Sequence, residues 1–310
     1  MPSRYESPVD PATPNNAHAY ALRLIGCNRE VLELGAASGH VTRALVGRHC
    51  RVTAIEYDAD AAAELEDVAH RVLVADLNDP DVFADLGAEF DVVLAGDVLE
   101  HLLRPHDVLR RAARLLRPGG DVVASVPNVG HADVRLSLMQ GTWDYRPKGL
   151  LDDTHTRFFT LKSIRAMVAE AGLMLTDLHR VRVPAFETEL PLERATVPTE
   201  LLDYVLADPE AETYQFVFAA TTDTGDRRLR RLADRNDALE RELARSLVRH
   251  ELLEAELSAN REFIKRVNES VIWRLVQRMR ISMFAALGGE RSMGVQMFQA
   301  SLRFIGRLLR

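Results

Sequence analysis

Short β-rich runs at 31–34, 52–57, 72–75, 90–94, 122–126, 173–181 and 215–220 alternate with helical patterns at 40–46, 60–69, 106–116 and 161–171. This alternation constrains the fold more than any other feature. A parallel crossover needs a dozen or more residues and returns its helix onto the sheet, so the rhythm predicts a parallel sheet covered on both faces. The expected architecture of 1–222 is therefore α/β, a doubly wound seven-stranded sheet. Two long segments break the rhythm, 128–160 after the fifth strand and 184–212 before the last. Inserts at the carboxyl ends of strands are where such sheets build their sites.

Beyond residue 222 the pattern changes. Seam positions a at 229, 236, 243, 250, 257, 264 and 271, with d at 232, 239, 246, 253, 260 and 267, are apolar at nine of thirteen places. This predicts a coiled coil over 226–270 that joins copies of the chain, with Asn236 and Asn260 setting register. The last segment, 271–310, holds seven arginines, no lysine and one acidic residue, Glu290, a net of +6. The rest of the chain carries −13, since the whole is −7. From about Ser292 the apolar residues Val295, Phe298, Leu302, Ile305 and Leu309 fall largely on one helical face. A basic amphipathic helix of this kind suits an anionic membrane surface or a partner protein. The acidic body argues against nucleic acid.

Cys27 and Cys50 have no pairing or metal spacing, which fits a reducing compartment. The segment 1–16 is polar and proline-rich, and no run of about 18 apolar residues occurs. The expected location is cytoplasmic, with the tail reaching the inner membrane face.

The chemistry begins at 31–39, VLELGAASG, which ends a strand and opens a helix. Gly35 and Gly39 allow a tight turn and close approach to a ligand. Glu33 is placed to hold a cationic amine. The G-x-x-x-G spacing differs from the G-x-G-x-x-G of dinucleotide sites, and Glu33 would repel a pyrophosphate. The second strand ends in Glu56-Tyr57, where the carboxylate suits two ribose hydroxyls. Asp76-Leu77 follows the third strand, placed to bond and cover an adenine. The fourth strand leads through Gly96 and Asp97 to Glu100-His101, and Leu115-Leu-Arg-Pro-Gly-Gly120 reads as a helix end turning into the fifth strand.

In order and spacing these segments resemble the class I S-adenosylmethionine-dependent methyltransferases, whose sheet is Rossmann-like. The resemblance implies that Glu33, Gly35 and Gly39 hold the methionine end, Glu56 the ribose, and Asp76 with Leu77 the adenine, with Gly96 and Asp97 near the sulfonium. Ala37 stands where relatives often carry a third glycine. A narrower resemblance rests on Asn15-Asn-Ala-His18, on 127–136 (PNVGHADVRL), on 149–160 (GLLDDTHTRFFT) and on 270–275 (SVIWRL). These are similar to segments of methyltransferases associated with bacterial cell-surface polysaccharide synthesis. That resemblance is the sole basis for expecting a sugar or glycolipid acceptor.

O-methylation needs a group that takes the hydroxyl proton as the methyl arrives. His155, His131 and His101 are the candidates, with Asp97, Asp153 and proximity alone as alternatives. Asp97-x-x-Glu100-His101 could also hold a divalent cation, as similar clusters do in related quinone and RNA-end methyltransferases. The expectation favours a metal-free reaction. Quinol methylation and a silent, cofactor-binding scaffold are the competing readings.

Overall fold

The computed structural model describes residues 11–222 apart from Ala88, together with scattered helical residues between 250 and 279. The chain divides into two compact units, Met1–Arg231 and Leu232–Arg310.

The first unit is built on seven strands: β1 (Glu30–Leu34), β2 (Arg51–Glu56), β3 (Arg71–Val74), β4 (Phe90–Gly96), β5 (Leu116–Pro127), β6 (Leu173–Arg182) and β7 (Thr213–Thr222). They form one sheet in the order β3-β2-β1-β4-β5-β7-β6. Side chains alternate between its faces. Leu32, Val93, Val122, Ala124, Phe216 and Phe218 point into one core, and Val31, Val92, Leu94, Val123, Val217 and Ala219 into the other. Helices α4 (Pro105–Ala112) and α6 (Leu161–Glu170) seal the first core with Val108, Leu109, Ile164 and Val168. Helices α1 (Ala17–Ile25) and α2 (His40–Val46) seal the second with Leu22, Ile25 and Leu45. Both faces are covered, as expected of a doubly wound sheet.

The sheet is mixed, and here the expectation of a parallel sheet is corrected. β1 to β5 run parallel, while β7 is antiparallel to both β5 and β6. Residues 183–212 leave the carboxyl end of β6 and deliver the chain to β7 at the same end of the sheet. No crossover carries it back to the other end, so the last strand must run the opposite way.

Three further differences have local causes. Helix α3 covers only Ala59–Ala63, and Leu65 then turns inward to be fully buried beside the glycine loop. Helix α4 ends at Ala112 and passes through the 3-10 turn Ala113–Leu115 into β5 at Leu116, so Pro118-Gly-Gly120 lies in the strand rather than capping the helix. A bulge between Phe90 and Val92 accommodates those residues. The two long segments also contain helices, α5 (Ala132–Met139) and α7 (Thr199–Leu206), which pack on one another.

Of the second unit, the described residues are helical and exposed, among them Leu253, Leu257, Ile264 and Met279. The expected coiled coil and basic tail otherwise lie outside the described residues. No helix among the described residues is long and apolar enough to cross a membrane.

Candidate active site

The carboxyl ends of β1, β2 and β4 converge on two adjoining cavities of about 260 and 440 Å³, both bordered by Gly35, Ala37, Asp97 and His101. The larger is lined by Glu56, Tyr57, Asp76 and Leu77, the residues expected to hold a nucleoside. The smaller is lined by Glu33, Gly96, Glu100, Asp152 and His155.

The glycine loop works by shape. Gly35 and Gly39 have φ of 66° and 83°, and a Cβ on either would overlap Val98 or Leu65. Ala37 is also left-handed, at φ 46°, and its N–H donates to Glu56 Oε2 at 2.7 Å. The Glu56 carboxylate thus closes the loop from the next strand, and its other oxygen accepts from the N–H groups of Tyr57 and Asp58. Glu33 is buried, and Thr42 donates to it at 2.7 Å. Burial pushes its carboxyl up to about 7, against the Thr42 bond and with a smaller push from Glu56. Asp76 Oδ1 accepts from the backbone and side chain of Asn78. Tyr57 is 77% exposed, leaving its ring available to a ligand.

Asp97 sits at φ 53°. Ser125 Oγ donates to its Oδ1 at 2.7 Å, and Gln215 Nε2 donates to the same oxygen. Gln215 and Tyr214 also line the smaller cavity, delivered there by the reversed strand β7. Sequence reasoning missed both, because nothing in a lone β-rich run shows that its first residues rather than its last reach the site. It also left His18 without a role. This residue of α1 lines the same cavity, and its Nδ1 is buried without a hydrogen-bond partner among the described residues.

The three histidines separate. His101 and His155 stand edge to face, 4.9 Å between ring centroids, in the wall of the smaller cavity. His101 Nδ1 lies 3.3 Å from both the carbonyl and the hydroxyl oxygen of Thr154. Burial, then His101, lowers the pKa of His155 below 6.5. His131 lies outside both cavities and is fully buried. Its Nδ1 accepts from Asp133 N–H at the start of α5, and its Nε2 donates to Val183 O at 2.9 Å, so both nitrogens serve the fold.

Glu100 joins the histidine pair. It is 1% exposed, and burial, reinforced by Asp97, raises its pKa well above the ordinary carboxylate value. Glu100 Oε2 and His155 Nδ1 are buried without hydrogen-bond partners among the described residues, and one ligand atom from each of Glu100, His101 and His155 lies within 4.8 Å of the others. The carboxylate of Glu100 and the imidazole of His155, each with an unpartnered buried atom, together with the His101 ring fit a divalent cation. Here His155 from the first long segment takes the place that the sequence spacing gave to Asp97, whose Oδ1 is already engaged.

A family model described as "Methyltransferase domain" matches residues 12–178. The chain is 27% identical over 164 residues to a ubiquinone biosynthesis O-methyltransferase of Pseudomonas aeruginosa, covering 48% of this chain and 66% of that one. It is 28% identical over 189 residues to the enzyme of that name from Xanthomonas axonopodis, covering 56% and 74%. Among solved structures it resembles a SAM-dependent methyltransferase from Archaeoglobus fulgidus, with 15% identity, a TM-score of 0.48, and coverage of 66% of this chain and 94% of that one. The fold, the glycine loop and the acidic residues on successive strand ends define the class of S-adenosylmethionine-dependent methyltransferases. The chain belongs to the methyltransferase domain family, and S-adenosylmethionine is its methyl donor.

Proposed function

We propose that the protein methylates a sugar hydroxyl in the synthesis of a cell-surface glycan or glycolipid. The observation that carries O-methylation is the His101–His155 pair in the wall of the cavity that also holds Gly96 and Asp97. S-adenosylmethionine supplies the methyl group. Glu33 would hold its amine, Glu56 its ribose, and Asp76 and Leu77 its adenine. The acceptor oxygen forms a bond to the methyl carbon as the carbon–sulfur bond breaks, and its proton passes to His155, which His101 flanks. Asp152, Lys148, Tyr214 and Gln215 give the same cavity a polar lining suited to a polyhydroxylated acceptor. The sugar itself is favoured by the sequence resemblance at 127–136 and 149–160.

A second reading is favoured by the ubiquinone relatives together with Glu100, His101 and His155. A cation held by those three would bind a phenolic diol of a quinol precursor and make its hydroxyl more acidic.

Transfer of labelled methyl into separated nucleotide sugars, lipid-linked glycans, quinones and RNA, with and without chelator, separates the readings. Label in a glycan fraction that survives chelator supports the first, and label in quinones that disappears with chelator replaces it. His155→Ala should lower kcat by about 10²–10⁴-fold while leaving the Kd for S-adenosylmethionine unchanged. Full turnover in that variant would remove His155 from the chemistry.

A further inference from the structure

A groove of about 460 Å³ lies beside the nucleoside cavity, bounded by Asn78, Arg104, Asp107, Arg110, Arg111 and Arg114. Asn78 is shared by the two, and its Oδ1 accepts from Leu103 N–H at 3.0 Å, which fixes one wall against the other. The four guanidinium groups differ in what they already hold. Arg110 is paired with Asp107 at 2.8 Å. Arg111 donates to the carbonyls of Leu77, Asp79 and Pro80 and lies over the Phe83 ring, so it is fixed in place with no carboxylate to neutralise it. Arg104 and Arg114 are exposed and make no ion pair or side-chain hydrogen bond with another described residue. Three positive charges therefore remain uncompensated in one concavity of a body whose net charge is strongly negative.

We propose that this groove binds a phosphate group, and that the phosphate is carried by the acceptor. A guanidinium presents paired N–H donors that match phosphate oxygens, and a cluster of them binds a diphosphate better than a single charge. The neighbouring cavity is acidic, with Glu56 and Asp76 on its wall, so an anion is directed to the groove and away from the cofactor. The groove is also close to the chemistry. Arg104 follows His101 by three residues, which limits their Cα separation to about 11 Å. A sugar whose hydroxyl meets His101 and His155 can thus lay a phosphate against Arg104, at the near end of the groove. Assignment of the phosphate to the acceptor rests on the function proposed above, whereas phosphate binding does not.

Titration calorimetry of the full-length protein with inorganic pyrophosphate at low salt tests the binding. Arg104→Ala/Arg114→Ala should weaken it about tenfold or more, with S-adenosylmethionine binding unchanged as proof of folding. Arg29→Ala/Arg71→Ala removes the same charge from exposed positions at the opposite ends of the strands and should leave it intact. A second arm uses flotation with phosphatidylcholine vesicles made with and without phosphatidylglycerol. Pyrophosphate binding lost only in the groove variant identifies a soluble or sugar-linked phosphate. Flotation that needs phosphatidylglycerol and is lost only in the groove variant, without pyrophosphate binding, identifies a lipid headgroup as the source. Absence of both, or equal weakening in the two double variants, overturns the proposal. Pyrophosphate binding that persists while no glycan accepts methyl removes the sugar reading and leaves the groove standing.

Discussion

In the binding mode proposed above, Glu33 couples the protein's electrostatics to S-adenosylmethionine. Its carboxyl is held up to about 7 by burial, so near neutral pH it is part protonated and a poor partner for an ammonium group. Affinity for S-adenosylmethionine should fall as pH drops below about 7, approaching tenfold per pH unit, and level off above it. Calorimetry across that window checks this, and Glu33→Gln should bind weakly without the pH dependence. The stability of the free protein moves the other way. A carboxyl whose folded pKa is raised stabilises the fold below the unfolded value of about 4.5, and that contribution is lost as pH rises through 7. Gly35→Ala tests the loop at the same scale. Its Cβ would overlap Val98 at a left-handed position, so cofactor affinity should fall more than tenfold, about 1.4 kcal/mol or more. Near-normal binding by that variant would mean the loop gives way more readily than its packing implies.

At the scale of elements, what was legible followed from periodicity, and what was missed followed from long-range contact. The bounds of β1, β2 and β4 are legible within two residues because buried strands leave short, mostly apolar, β-branched-rich runs. The residues proposed to hold the cofactor lie at or just past the ends of β1 to β4, so Glu33, Glu56, Asp76 and Asp97 could be found by position in the chain. Helix α5 was not seen, since Ala132, Asp133, Val134, Leu136 and Ser137 are all buried and no polar face marks a helical period. The partnership of His101 with His155 spans 54 residues, and no local pattern encodes such a distance. Asp133 shows how the two long segments are locked. Its fully buried carboxylate accepts from Phe186 N–H, Thr188 N–H and Thr188 Oγ. Asp133→Ala leaves those donors unsatisfied and should cost about 2–4 kcal/mol, concentrated in 183–212. Hydrogen exchange should show that segment opening before the sheet does. Uniform loss of protection throughout would point to a global role instead.

For the whole molecule, the second unit poses the question of assembly. Leu253, Leu257 and Ile264 are each more than half exposed on helical residues, and they occupy one d and two a positions of the heptad pattern. If that seam joins copies of the chain, Leu253→Lys/Leu257→Lys should reduce the mass found by sedimentation to that of a monomer. Cofactor affinity should not change, because the residues that line its cavities all belong to the first unit. A mass unchanged by these substitutions would assign the exposed leucines another partner.

The reversed strand β7 bears on the order in which the protein is made. Residues 1–182 contain the parallel core and β6, yet β6 has no neighbour in the sheet until β7 enters between it and β5. Tyr214 and Gln215 arrive with that strand, and Gln215 is one of the groups that hold Asp97. During synthesis, which proceeds at about 5–20 residues per second, the growing chain has its glycine loop and strand-end carboxylates well before it has a finished site. Competence is therefore reached late and at once, when a single antiparallel strand closes a gap left open for it.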